Sequence, residues 1–527
     1  MNETPIFSHA AVAAPSALAA QAGRDVLIQG GNAIEAMVAM AATIAVVYPH
    51  MNAIGGDGFW LMREPDGKLR AIEACGFAGQ LATIERYCLA EAEAIPPRGP
   101  QAALTVPGAV GGWALALELS AAMGGRLPLA LLLENAVRHA RDGYAVSRSE
   151  ARFDPAKDPA LMAAPGFVEA YFLDDKPAKA GDMRKAARLG ETLGQLAHAG
   201  LDDFYRGDVA REIAGDLERI GSPVTRADLK AYRAAWRKPL SLTIGDATLY
   251  NTPPPTQGLA SLILMGLFER LNVKAIEGFG YFHALIEASK RALSIRDRVC
   301  TDFRELEHDC ADFLTPEALD LEAGGIDMTR AASWPLKNDK GDTVWMGAID
   351  AQGRAVSFIQ SVYWEYGSGC VLPRTGVLMQ NRGVSFSLAP QTINPLRPGR
   401  RPLHTLNPPL VVFRDGRVMP YGSMGGDGQP QFQAQLLTRY RAGQSLVEAL
   451  DAPRYLFGRS WGAPSATVKL ESGFDDGVAE ALARAGHHIE RLPRGDSFGH
   501  AGALVGNSKG AIQAAHDPRS DGGAEGV

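Results

Sequence analysis

The sequence has little cysteine: five residues in 527, at Cys75, Cys88, Cys300, Cys310 and Cys370. The number is odd and no C-x-x-C pair occurs, which argues against a disulfide framework and a cysteine zinc site and suits a reducing compartment. Each cysteine reads as a small buried hydrophobe. No apolar run is long enough to span a bilayer; the longest, Ala36 to Val47, follows Glu35. The N-terminus lacks a basic opening, carries Glu3 early and interrupts its apolar stretch with Pro15, so a cytoplasmic protein without an export leader is expected. A surplus of one charge is missing too. The 53 Lys+Arg and 59 Asp+Glu leave a net charge of −6, with no electrostatic reason to expect nucleic acid or an anionic membrane as partner. Tandem repeats, a Walker loop, a dinucleotide fingerprint, H-E-x-x-H and G-x-S-x-G are all absent. The eleven histidines show no metal-ligand spacing, so neither metal nor organic cofactor is expected, and His487-His488 reads as a turn with a solvated ring.

What is present is globular: 46% hydrophobic and 21% charged residues. Helical spacing runs from Ser16 to Gln29, and Asn32 is placed to cap a second helix through Val47. Further helices are expected at Pro128–Arg141, Asp208–Ile220, Gly258–Leu271, Pro430–Tyr440 and Asp476–Ala485. Gly55-Gly56-Asp57-Gly58 is a glycine turn feeding the apolar strand Phe59 to Met62. After Lys340 the pattern becomes strand, turn, strand: Thr343–Asp350, Ala351–Arg354, Ala355–Val362. Leu410–Phe413 and Val418–Tyr421 form another strand pair. Strand pairs mixed with helices predict a layered α+β or α/β body.

A polar segment beginning at Asn338 runs directly into Thr343 at the head of a strand. By composition Thr343 is a strand-opening β-branched residue. In order along the chain, however, stand Gly30-Gly31-Asn32-Ala33, Gly55-Gly56-Asp57-Gly58-Phe59, Val106-Pro107-Gly108, Phe204-Tyr205-Arg206-Gly207, Pro253-Pro254-Pro255-Thr256-Gln257-Gly258, Thr343, Gly367-Ser368-Gly369, Arg401-Pro402-Leu403, Gly422-Ser423-Met424-Gly425-Gly426 and Asp517-Pro518-Arg519. In these motifs the chain resembles the γ-glutamyltranspeptidases, a family of N-terminal-nucleophile hydrolases, over nearly its whole length. The resemblance implies an αββα sandwich and a precursor that cuts itself between Asp342 and Thr343. The products would be a large subunit, 1–342, and a small subunit, 343–527, held as a heterodimer open to further dimerisation. Cleavage would give Thr343 a free α-amino group able to act as base for its own hydroxyl. Gly425 and Gly426 match the family's oxyanion glycines, and Ser361 matches a hydroxyl that supports the nucleophile.

The sequence also departs from the family. The Arg expected in the strand after the glycine turn is missing from Ala71 to Gly79. Ser385 replaces an acidic residue, His404-Thr405 a serine pair, Tyr363 an asparagine and Asp57 a glycine. The groups that read an amino-acid head are lost, while Arg382 appears where relatives lack it, and guanidinium suits a carboxylate. The expected substrate is therefore a small carboxylated amide held by Arg382, with His404, Thr405, Tyr363 and Asn381 lining the site and His50 and Asp57 as weaker candidates. Tyr48 to Met51, Gln360-Ser361-Val362-Tyr363 and Gln380-Asn381-Arg382-Gly383 are similar to the oxamate amidohydrolase branch, which implies oxamate hydrolysis and a place in purine catabolism. The alternatives are a γ-glutamyl hydrolase or transferase, a glutaryl or β-lactam-type acylase, and an uncleaved binding protein.

Overall fold

Side chains along the Asp342–Ile349 strand alternate between two different cores. Val344, Met346 and Ala348 join one apolar cluster, while Trp345 and Ile349 join another. That period of two means the strand is covered on both faces. The computed structural model describes residues 3–90, 92–334, 342–458, 465–507 and 510–527. It contains two seven-stranded sheets stacked face to face. One runs Gly523–Gly526, Ala11–Ala14, Asp342–Ile349, Ala355–Tyr363, Asp57–Arg63, Leu69–Ala74, Ala235–Arg237. The other runs Ile6–Phe7, Ile512–His516, Ala501–Gly506, Val418–Ser423, Leu410–Phe413, Ala247–Asn251, Leu240–Ile244. All pairings within both are antiparallel.

Helices close both outer faces. Ala33–Val47 and Ala109–Ala122 pack on the first sheet, and Gly258–Arg270 and Gln429–Arg441 on the second. Trp345, Leu410, Leu504 and Ile512 fill the space between the sheets. The result is the four-layer αββα sandwich of an α+β fold, as expected. The apolar Ala36–Val47 run is not a membrane element. It lies in a helix buried along its whole length, as an all-round apolar helix must be. Its start is fixed by a capping box: Asn32 accepts from Ile34 and Glu35 N–H, and the Glu35 carboxylate accepts from Asn32 N–H at 2.9 Å. Among the described residues no helix is long and apolar enough to cross a membrane.

Two readings need correction. Cys88 is exposed, on the short Ile84–Leu89 helix, while the other four cysteines are buried. His487 is not solvated; it is buried against His283 of the Phe279–Val299 helix, and only its neighbour His488 faces solvent. The polar segment ahead of Thr343 lies outside the described residues up to position 341.

Candidate active site

Thr343 sits where the strand ladder is irregular. Asp342 pairs with Tyr363 and Val344 with Gln360, so Ser361 and Val362 stand opposite Thr343 alone. Such a bulge re-aims one side chain out of the regular ladder. Thr343 is fully buried and shares the parity of Trp345, which faces the space between the sheets. There its Oγ1 accepts a long 3.4 Å hydrogen bond from Gln429 Nε2 at the start of the Gln429–Arg441 helix.

Ser361 supports the bulge: its Oγ accepts from Tyr363 N–H at 2.7 Å. Tyr363 adopts φ +85°, a conformation that costs a non-glycine residue about 1–3 kcal/mol. The Arg382 guanidinium lies over its ring at 3.6 Å, a cation–π contact that helps hold the tyrosine in place.

Gly425 and Gly426 stand where the Val418–Ser423 strand turns into the next helix. Both take left-handed φ, +116° and +54°, and a Cβ on Gly425 would stand 2.8 Å from the Phe432 ring. Their amide N–H groups have no acceptor among the described residues. Successive free N–H groups in such a turn form an anion-binding concavity. The loop is pinned from below: Asp427 is ion-paired with Arg296, whose Nη1 also donates to Gln257 Oε1 at 2.7 Å. Gln257 Nε2 in turn donates to the carbonyls of Gly426 at 2.8 Å and Thr405 at 2.6 Å.

Arg382, His404 and Asp57 meet beside this frame. Arg382 is 2% exposed and gives Nη1 to Thr405 Oγ1 at 3.2 Å, while its Nε and Nη2 have no hydrogen-bond partner. Neither ring nitrogen of His404 has one; Asp57 Oδ2 lies 3.4 Å from Nε2. Burial, reinforced by Arg382 and Arg401, holds His404 well below its usual value, so the ring is neutral. Asp57 accepts at Oδ1 from Gly76 and Gly108 N–H, at 3.0 and 2.9 Å, and leaves Oδ2 without a partner. Burial outweighs those bonds and pushes its pKa up to about 7. The glycine turn before Asp57 exists because backbones meet there: a Cβ on Gly56 would stand 2.2 Å from Ser361 O.

The remaining sequence-derived residues divide. Asn381 is buried, and its amide group is spent on the frame, accepting from Trp364 N–H at 3.1 Å and donating to Pro97 O at 2.9 Å. Ser385 likewise bonds the Arg382 and Leu403 carbonyls. His50 lies elsewhere, between Tyr48 and Tyr366, with Nε2 3.3 Å from Ser149 Oγ. Gln429 and Gln257 were missed as functional residues. Gln257 was visible inside the Pro253–Gly258 motif, and Gln429 opens a helix in which Gln429, Gln431, Gln433 and Gln435 are all buried. None of three open cavities, of about 760, 290 and 740 Å³, is lined by Thr343 or Arg382.

Residues 19–527 match the family model for gamma-glutamyltranspeptidase. The chain is 48% identical over 529 residues to the oxamate amidohydrolase proenzyme of Klebsiella pneumoniae, covering all of both chains. It is 36% identical over 535 residues to the glutathione hydrolase-like YwrD proenzyme of Bacillus subtilis, again covering both completely. Among solved structures, the cephalosporin acylase of Bacillus halodurans superposes with a TM-score of 0.91 at 31% identity, over 100% of this chain and 97% of that one.

Proposed function

This chain belongs to the gamma-glutamyltranspeptidase family and is an N-terminal-nucleophile amidohydrolase, and from that premise we propose that it cuts itself before Thr343 and then hydrolyses oxamate to oxalate and ammonia. The Thr343 hydroxyl attacks the Asp342 carbonyl, the peptide C–N bond breaks as the ester forms, and water opens the ester. A carboxylate is left at 342 and an amine at 343, giving pieces of 342 and 527 − 342 = 185 residues. The new amine, with an ordinary pKa of about 7.7–8.0, takes the hydroxyl proton in the second reaction.

Thr343 Oγ1 then attacks the amide carbon of oxamate. The oxyanion is received by the Gly425 and Gly426 N–H groups, where loss of one donor costs about 2.7–4 kcal/mol. Ammonia leaves with the proton held by the amine, and water releases oxalate from the threonyl ester. Arg382 grips the substrate carboxylate through Nε and Nη2, beside Thr405 and the neutral His404.

The observation that carries this reading is the buried edge of Arg382 with no acceptor. Leaving two charged donors unmet is costly, and a carboxylate meets both at once. Arg401, which also acts on His404, differs: it pairs with Glu73 at 2.8 Å. Among the described residues Asp57 is the acid that meets Arg382 and His404, and burial favours its neutral form below about pH 7. A substrate with one anion and no amine fits that balance, which disfavours glutathione.

Intact-mass measurement followed by an amide panel tests it. Pieces of 342 and 185 residues are expected, with faster ammonia release from oxamate than glutamate release from glutathione. An active protein that is only full-length sinks the nucleophile assignment, and a preference for glutathione sinks the clamp.

A further inference from the structure

Away from the nucleophile, His283 and Glu287 stand four residues apart on the Phe279–Val299 helix, so they share a face. His487 comes to them from the turn after the Asp476–Arg484 helix. All three are buried, and one ring nitrogen of each histidine and one Glu287 carboxylate oxygen lie within 4.8 Å of one another. His283 Nδ1 is 2.9 Å from His487 Nε2, which is 3.9 Å from Glu287 Oε1. Ligands around a tetrahedral zinc with 2.0–2.1 Å bonds are about 3.3 Å apart, and the two measured edges bracket that length.

Two observations give this hydrogen-bonded pair of rings the layout of a metal site. His283 Nε2 faces the Asp327 carbonyl at 2.8 Å. A carbonyl only accepts, so the ring proton belongs on Nε2 and the Nδ1 lone pair points into the cluster, where it accepts from His487 Nε2–H; metal binding moves that proton to His487 Nδ1. That is the outer-shell arrangement that orients a metal-bound imidazole. The cluster also borders an open cavity of about 740 Å³, lined in part by Glu287, Asp327, Arg330, Trp334 and His487, which provides an entry path and room for water. Lys290 Nζ is bonded to Glu287 Oε1 at 2.7 Å and to Ala332 O at 2.7 Å. An arriving cation would displace it from the carboxylate and leave it the carbonyl.

We propose that His283, Glu287 and His487 bind one divalent transition-metal ion, zinc by the nature of the donors, with water in the fourth position. The ion acts as a tether. His283 and Glu287 precede Thr343 and His487 follows it, so the metal fastens the two parts of the chain on either side of that residue. Binding itself requires no cleavage; only the joining of separate fragments rests on the reading above.

The test titrates chelator-treated full-length protein with Co2+ and then Zn2+. Expected are one equivalent of cobalt, the intense visible absorption of a four-coordinate ion, its loss on adding zinc, and a rise in Tm of about 2 °C at saturating zinc. His487→Ala and Glu287→Gln, checked for folding by circular dichroism, should lose affinity about tenfold or more. His488→Ala, at an exposed neighbour, should retain it. Wild-type protein that takes up neither ion overturns the proposal, as does uptake unchanged in both ligand variants. Should those variants fail to fold, the wild-type stoichiometry and cobalt spectrum decide. Whether chelation separates the fragments is read by gel filtration; failure there removes the tether and leaves the site.

Discussion

Two buried charge clusters lie in this molecule, and they are built on opposite terms. In one, Asp517 and Glu471 face Arg454 and Arg519. Arg454 Nη1 is 2.7 Å from Asp517 and also donates to the Phe498 and Gly499 carbonyls; Arg519 reaches Glu471 Oε1 at 2.7 Å and Asp517 Oδ1 at 3.0 Å. Both carboxylates and the Arg519 guanidinium have a partner at every side-chain oxygen or nitrogen. In the other, Arg382, His404 and Asp57 are as deeply buried but keep open donors and acceptors. Saturated ionic groups fasten loops, whereas unsaturated ones are held ready for a ligand at some expense in stability. Both clusters fall within motifs that match or depart from the family, so satisfaction of hydrogen bonds separates framework from site where motif content does not.

That contrast can be broken most sharply at the nucleophile. Thr343→Ala should abolish both chain cleavage and amide hydrolysis, read by intact mass and ammonia release, while the protein stays folded. Asp517→Asn should destabilise the fold by about 3–5 kcal/mol, because two guanidiniums lose a buried counter-charge, and urea denaturation measures it. Arg382→Ala should weigh on function instead: kcat/KM on oxamate should fall about 100-fold with cleavage intact, and the loss of its contact with Tyr363 should lower Tm by less than Asp517→Asn does. A large loss of Tm at Arg382, or none at Asp517, would erase the distinction.

The smallest effect is in pH dependence, and the two clusters should slope in opposite directions. Burial raises folded Asp57 from its ordinary 3.8 to about 7, so its contribution to stability is lost as pH rises across that interval. Asp517 is depressed below 3.8 by Arg454 and Arg519, against the opposing effect of burial, so its contribution is present above 3.8 and lost as pH falls below it. Asp57→Asn should flatten the fall in stability between pH 4 and 7 and leave the acid limb unchanged. Urea midpoints measured across pH check both limbs.

Much of the frame was legible in the residues. Alternation from Thr343 to Asp350 and the Ala351–Arg354 turn predicted the central hairpin, and Asn32 marked a helix start that the structure caps as expected, with Glu35 completing the box. Arg382 stood out as an added cation amid lost head-group residues. What stayed hidden depends on long-range contact. His487 meets a partner 204 positions away, which no local spacing reveals. Cys88 is exposed on a short helix that packs by Tyr87 and Ile84. Gln429 and its fellow glutamines look like a solvated helix face until the sheet and the neighbouring strand cover them.

Those glutamines have a consequence of their own. Gln431 bonds the Phe457 backbone at both its N–H and C=O, Gln435 does the same at Tyr455, and Gln433 donates to Asn407 O. Carboxamides neither gain nor lose a proton between mild acid and mild alkali. The contacts these glutamines make are thus electrically silent over that range, and Asp57, raised to about 7, is the framing group whose titration a rate profile would report beside that of the reacting groups.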